Sequence, residues 1–206
     1  MRRRGSGRRI GSARVGCRRG GVTVLALVRH GRTALNRERR LQGRSDVPLD
    51  EVGREQARGA AELLRVSRWD RIVCSPLERA VETARIVDSV VSAPAFELTD
   101  ALLERDFGEA EGMLVVDAER RWKSGAYPGG ETWEQVGARA ELAIVGLMRR
   151  EGATVAVSHG MFIRAGVEAI TGAPCPRILN GQVVFVRAGE HGRWTAEIVE
   201  PAVAAS

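Results

Sequence analysis

At 206 residues the chain is long enough for one domain with a large core, and its 44% hydrophobic and 28% charged residues are those of an ordinary soluble globular protein. No apolar run approaches membrane-spanning length. The formal net charge of +6 would suggest a nucleic-acid partner, but residues 1–21, MRRRGSGRRIGSARVGCRRGG, hold eight arginines and no acid, and without them 24 basic residues of the original 32 face 26 acidic ones.

This leader has almost nothing to bury and is expected to be a disordered extension with no part in the chemistry. It does not read as a secretory signal, because the apolar run VTVLALV is short, lacks a small-residue cleavage site and is itself the first strand. Lys123 is the only lysine among the 32 basic residues, a bias of base composition rather than selection for DNA binding, and nine aromatic residues in all argue against a base-stacking platform. The domain proper is expected over residues 22–200, followed by a short tail, 201–206.

The first predicted strand is Val22–Val28, continuous and β-branched as a strand buried on both faces should be. After a polar loop, Asp50 can cap a helix to about Val66 with Ala57, Ala60, Ala61 and Leu64 as its apolar stripe. DRIVCS is a second buried strand, running into SPLE, where Ser75 reads as N-cap, Pro76 as the first helical residue and Glu78 as capping-box partner. Ala80, Val81, Ala84 and Val87 give the following helix one apolar face. A third long helix is expected from Thr132 to Arg150, with Val136, Ala140, Ile144 and Leu147 inward. ATVAVSHG repeats the design of the first strand and leads into a helix from about Met161; GQVVFVRA and RWTAEIVE read as a closing hairpin. Alternating strands and helices predict an α/β fold, a three-layer α/β/α sandwich with a mostly parallel central sheet.

Three strand ends then converge: Arg29-His30, Ser75 with Arg79 one turn on, and Ser158-His159. Ligands bind beyond the carboxyl ends of strands in such sheets, and helix N-termini there favour anions. Between Arg29 and Arg32, His30 is expected to be neutral and nucleophilic, because flanking cations disfavour an imidazolium. Two strand-end histidines and an arginine in a helix first turn, where the dipole disfavours it, point to a phosphate site. Cys17, Cys74 and Cys175 are scattered without metal-ligand spacing; Cys74 reads as a small core residue, and the set suits a reducing cytoplasm.

The blocks LVRHGRTALN, LQGRSDVPLDEVGREQA, CSPLERAVETA, LLERDFGEAEG, PGGET and VSHGMFIRAGVEAITG, in this order, resemble the histidine phosphatase superfamily of phosphoglycerate mutases and related phosphatases. The resemblance implies the phosphoglycerate mutase-like fold and a phosphohistidine mechanism. It implies that His30 is the nucleophile, that Arg29, Arg79 and His159 clamp the phosphoryl oxygens, and that Glu104 is the general acid. It implies contacts to phosphate or substrate from Asn36, Gln42, Gly43 and Gly160. No metal and no cofactor are expected, since arginines supply the positive charge. Arg32 stands where many members carry glutamate or glutamine and adds charge at the substrate rim. Gln42 stands where mutases carry a small hydroxyl residue, which favours the phosphatase branch; the alternative is a cofactor-dependent phosphoglycerate mutase. Arg120-Arg121, adjacent as in the mutase lid, lie closer to Glu104 and are expected on the solvated face of a short helix. The expected partner is a small phosphorylated substrate, with no nucleic acid and no membrane; a homodimer is left open.

Overall fold

The computed structural model describes residues 24–189 and 194–201. The leader at residues 1–21, Val22 at the start of the first predicted strand, Cys17 and tail residues 202–206 lie outside them. In chain order the elements are β1 (Val24–Arg29), α1 (Ala34–Arg37), α2 (Glu51–Leu64), β2 (Arg71–Cys74), α3 (Glu78–Val91), β3 (Ala95–Leu98), α4 (Val115–Arg121), α5 (Trp133–Met148), β4 (Thr154–Ser158), α6 (Gly160–Thr171), β5 (Val183–Ala188) and β6 (Trp194–Val199).

The six strands form one sheet in the order β3-β2-β4-β1-β5-β6. The first four run parallel, β5 is antiparallel to β1, and β6 returns as the expected hairpin partner of β5. Alternation along each strand splits the core in two. Leu25, Leu27 and Ala156 face a cluster with Ile144, Phe162 and Ile163 from α5 and α6. Ala26, Val28, Val155 and Val157 face the other, with Ala60, Leu64, Ala84 and Val87 from α2 and α3. Burial on both faces is why these strands are written as unbroken apolar runs.

The capping chemistry is mostly as the sequence suggests. Asp50 accepts from Gly53 N at 2.8 Å and starts α2, while Thr132 and Gln135 form a reciprocal box at the start of α5. Ser75 is the exception. Helix α3 begins two residues later than the expected Pro76, with Leu77 at the N-cap and no side-chain cap; Asp46 Oδ1 accepts from Glu78 N at 2.6 Å instead. The Ser75 hydroxyl is committed elsewhere, to His159. Helix α6 likewise starts at Gly160, one residue earlier than expected, with His159 as N-cap. Strand β3 adds to the expected elements: it is a four-residue edge strand with alternating half-buried and exposed positions, and no buried run marks it.

The register carries the site. Arg29 pairs with Ser158 and Cys74 with Val157, so β1, β2 and β4 end level with one another. His30 N donates to Ser158 O and Ser75 N to Val157 O, each at 3.0 Å, which extends the ladder into the site itself. Leaving the sheet, the chain passes α2 at backbone contact: a Cβ on Gly31 would lie 2.1 Å from the Gly53 oxygen, and one on Gly53 equally close to the Arg32 oxygen. Only glycine fits at both positions.

Candidate active site

Beyond the ends of β1, β2 and β4 lies a buried polar cluster of Arg29, His30, Gln42, Ser75, Arg79, Glu104 and His159. His30 Nδ1 sits 2.7 Å from the carbonyl oxygen of Gly31. A carbonyl can only accept, so Nδ1 carries the proton and Nε2 keeps its lone pair. Arg79 Nε donates toward that lone pair at 3.3 Å. The rest of the Arg79 guanidinium is locked by the carbonyls of Ser45 and Gly43, both at 2.8 Å. Arg29 Nη1 donates to Ile178 O at 2.6 Å. Gly160 leaves room for the Arg29 head: a Cβ there would come within 3.1 Å of Cζ and Nε.

Three buried polar atoms have no partner among the described residues: Arg29 Nε, Gln42 Nε2 and His159 Nδ1. Buried polar groups are nearly always paired, and Arg29 Nε and Gln42 Nε2 can only donate, so their lack of partners beside a nucleophile calls for an acceptor. Gln42 is aimed by its other end, whose Oε1 accepts from Thr33 Oγ1 at 2.7 Å and Asn36 Nδ2 at 3.4 Å. The His30 and His159 rings meet at a tilt of 60°, 5.1 Å between centres.

Glu104 is buried within range of the Arg29 and Arg79 charges. Its carboxylate accepts from Arg105 N and Phe162 N, both at 2.9 Å, and from Met161 N at 3.2 Å. Two of these are first-turn amides of α6, so Glu104 takes the place of the missing N-cap side chain and meets the positive end of the helix. Arg139 Nη2 donates to the Glu104 carbonyl at 3.2 Å and fixes its backbone.

Not every expected residue turns to the pocket. Arg32, the second cation expected beside His30, is paired with Asp50 Oδ2 at 2.8 Å and is partly exposed. Arg79 takes its place. Gly43 has both backbone groups occupied, N–H by Glu111 at 2.8 Å and carbonyl by Arg79, so it shapes the loop rather than offering a donor. Three further residues brace the cluster. Glu111 also gathers Ser45 N at 3.1 Å and Ser45 Oγ at 2.7 Å. Asn180 Nδ2 bridges His30 O and Asn36 Oδ1, both at 3.0 Å, and Thr83 Oγ1 accepts from Gly31 N at 3.1 Å. Only Thr83 left a local trace, four residues after Arg79 on the same helix face.

Burial, then Arg79 and Arg29, hold the His30 imidazole well below its ordinary 6.5. Burial, then Arg79 and His30, do the same to His159. Burial also pulls the Arg29 and Arg79 guanidiniums down to about 10, still fully charged at neutral pH. The linkage has a definite sign. Above pH 6.5 neither state binds the histidine protons; below it the unfolded chain takes them up and the folded one does not. The unfolding free energy is therefore expected to fall as pH drops from about 6.5 toward 5, the slope approaching about 1.4 kcal/mol per pH unit for each histidine. Urea midpoints measured across that window check this. A flat profile would mean that the folded protein protonates both rings.

A family model, the histidine phosphatase superfamily (branch 1), matches residues 25–197. The chain is 38% identical over 153 residues to an uncharacterized phosphatase, PhoE, of Bacillus subtilis (strain 168), covering 73% of this chain and 79% of that protein. It is 35% identical over 161 residues to a probable phosphoglycerate mutase, GpmB, of Enterobacter sp. (strain 638), covering 72% and 74%. Among solved structures, mycobacterial glucosyl-3-phosphoglycerate phosphatase in complex with VO3 superposes with a TM-score of 0.78 at 25% identity, covering 87% of this chain and all of that one.

Proposed function

This chain belongs to the histidine phosphatase superfamily, branch 1, and from that premise we propose that it hydrolyses a small phosphomonoester through a phosphohistidine on His30. The observation that carries this reading is the His30 tautomer: a neutral ring with its Nε2 lone pair directed among donors that lack acceptors. In the first step Nε2 attacks phosphorus in line, the N–P bond forming as the bond to the leaving oxygen breaks, and Glu104 gives that oxygen a proton. Arg79 shifts its Nε–H from His30 to a phosphoryl oxygen, joined by Arg29, His159 and the Gln42 amide, so that charge is stabilised where it develops. In the second step water attacks phosphorus, gives its proton to Glu104, and the N–P pair returns to His30.

The reading makes the two buried guanidiniums the source of positive charge, with no resident metal. It favours hydrolysis over the mutase alternative because Arg120 and Arg121, the adjacent pair a mutase lid would use, are exposed on α4 and engaged locally. Arg120 lies 3.7 Å from Asp117, and Arg121 stacks on Trp122 at 4.5 Å. A cytoplasmic setting is supported by Cys74 and Cys175, free thiols whose pKa values burial pushes up to about 12 and about 11. Among the described residues, no helix is long and apolar enough to cross a membrane.

The test is incubation with a panel of phosphomonoesters that includes 3-phosphoglycerate, in excess EDTA, with and without vanadate. Free phosphate is expected, unaffected by chelator and suppressed by vanadate, the oxyanion held by the mycobacterial phosphatase above. Formation of 2-phosphoglycerate would establish the mutase instead. Activity that collapses with EDTA and returns with magnesium or zinc would overturn the metal-independent reading.

A further inference from the structure

The unanswered feature of the site is Ser75. Its hydroxyl lies 2.8 Å from His159 Nε2, both residues are fully buried, and His159 Nδ1 has no partner among the described residues. A neutral imidazole donates from one nitrogen and accepts at the other, so the direction of this single contact decides what the far nitrogen presents. Distance alone does not give the direction; counting partners does. Ser75 Oγ already accepts from Leu77 N at 3.5 Å, and among the described residues His159 Nε2 is the only acceptor within reach of the Ser75 proton. If His159 donated to Ser75, the hydroxyl proton and the Nδ1 lone pair would both be stranded. If Ser75 donates, one group is left over, an Nδ1–H.

We propose that Ser75 is a positioning residue: its hydroxyl donates to His159 Nε2 and holds the ring as the Nδ1–H tautomer, whose proton is presented to a phosphoryl oxygen. The selection matters because His159 is neutral. An imidazolium would donate from both nitrogens and need no partner, but burial first, and then the cations around this ring, hold it in the neutral form. With the wrong tautomer a bare lone pair would face the anion. The same arrangement explains why SPLE fails as a capping box, since the serine that would cap α3 is turned across the sheet to a histidine 84 residues away. The catalytic half of this inference rests on the phosphatase reading; the tautomer half does not.

The experiment is long-range proton–nitrogen NMR on imidazole-¹⁵N protein at about pH 7.5, with His159 assigned by comparison with His159→Asn. The chain has three histidines, so the spectrum is small. The wild type is expected to show a protonated Nδ1 and a bare Nε2 on His159, the same pattern as His30, which serves as an internal reference through Gly31. Inorganic phosphate should move the His159 Nδ1 proton downfield. Ser75→Ala should shift the ring to a tautomer mixture and lower kcat by about 10²-fold with less change in KM, the scale of one lost transition-state donor. Ser75→Thr should restore both.

A wild-type His159 protonated at Nε2 overturns the proposal, and so does a Ser75→Ala protein that loses activity while keeping the tautomer. An Nδ1 proton indifferent to phosphate removes its role in anion binding. Should Ser75→Ala fail to fold, the wild-type spectrum alone decides. Failure to find phosphohistidine would sink the mechanism and leave the tautomer result standing.

Discussion

His30→Ala is expected to abolish both turnover and covalent labelling, a loss on the order of 10⁴-fold or more, as for other nucleophiles that act as a unit with their partners. The wild type, mixed with a ³²P-labelled phosphomonoester and quenched within milliseconds, should carry phosphate on the peptide that contains VRHG. A phosphoramidate is labile in acid and survives alkali, the reverse of a serine phosphate, so the bond is identified by its chemistry alone. His159→Ala separates the two rings. It removes a donor from the phosphate and leaves the nucleophile, so label should still form on His30, but slowly. The stabilities of the two variants need not match, since each empties a buried position beside a guanidinium. The position of the label is independent of that. Label on His159 that persists in His30→Ala would reverse the assignment. Absence of any acid-labile label would favour direct attack by water between Arg29 and Arg79.

Much of this site was legible because buried parallel strands advertise themselves. The strand interiors ahead of His30, Ser75 and His159, LALV, IVC and VAV, are wholly apolar, and parallel register brings their ends level, so three separate sequence positions become one place. What was not legible depends on partners far along the chain. Arg32 lies within the His30 block and reads as its second cation, but its guanidinium pairs with Asp50, 18 residues on; Arg79, legible as a member of the site, is the one that reaches the His30 ring from 49 residues away. Ser75 satisfied a local capping pattern, and a tertiary hydrogen bond outweighed it. Glu111 and Asn180 act through backbone groups and amides in irregular segments, which no periodicity marks. Strand β3 shows the same limit in the fold: half-exposed at the sheet edge, it has no apolar run to announce it.

Glu104 allows the sharpest separation of chemistry from architecture, because it does two things at once. Its carboxylate accepts three backbone N–H groups, and the proposed mechanism also asks it to move a proton. Glu104→Gln keeps the size but exchanges one oxygen for an amide nitrogen, which must then face a backbone donor, Met161 N in the arrangement that preserves the other two contacts. The start of α6 loses an acceptor, at about 1–3 kcal/mol for a buried donor left unpaired. Lost stability or a displaced loop would slow every substrate alike. A lost general acid would not. Alkyl phosphates leave as poor alkoxides and need the proton; nitrophenyl phosphate leaves as a stable phenolate and does not. Single-turnover phosphorylation of His30 by Glu104→Gln is therefore expected to fall by about 10²–10⁴-fold for an alkyl phosphate and far less for nitrophenyl phosphate. Hydrolysis of the phosphoenzyme should slow equally whichever substrate formed it, because the second step asks Glu104 to take a proton from water and the leaving group has gone. Equal losses in the first step for both substrates would show that Glu104 holds α6 and the loop in place without serving as the acid.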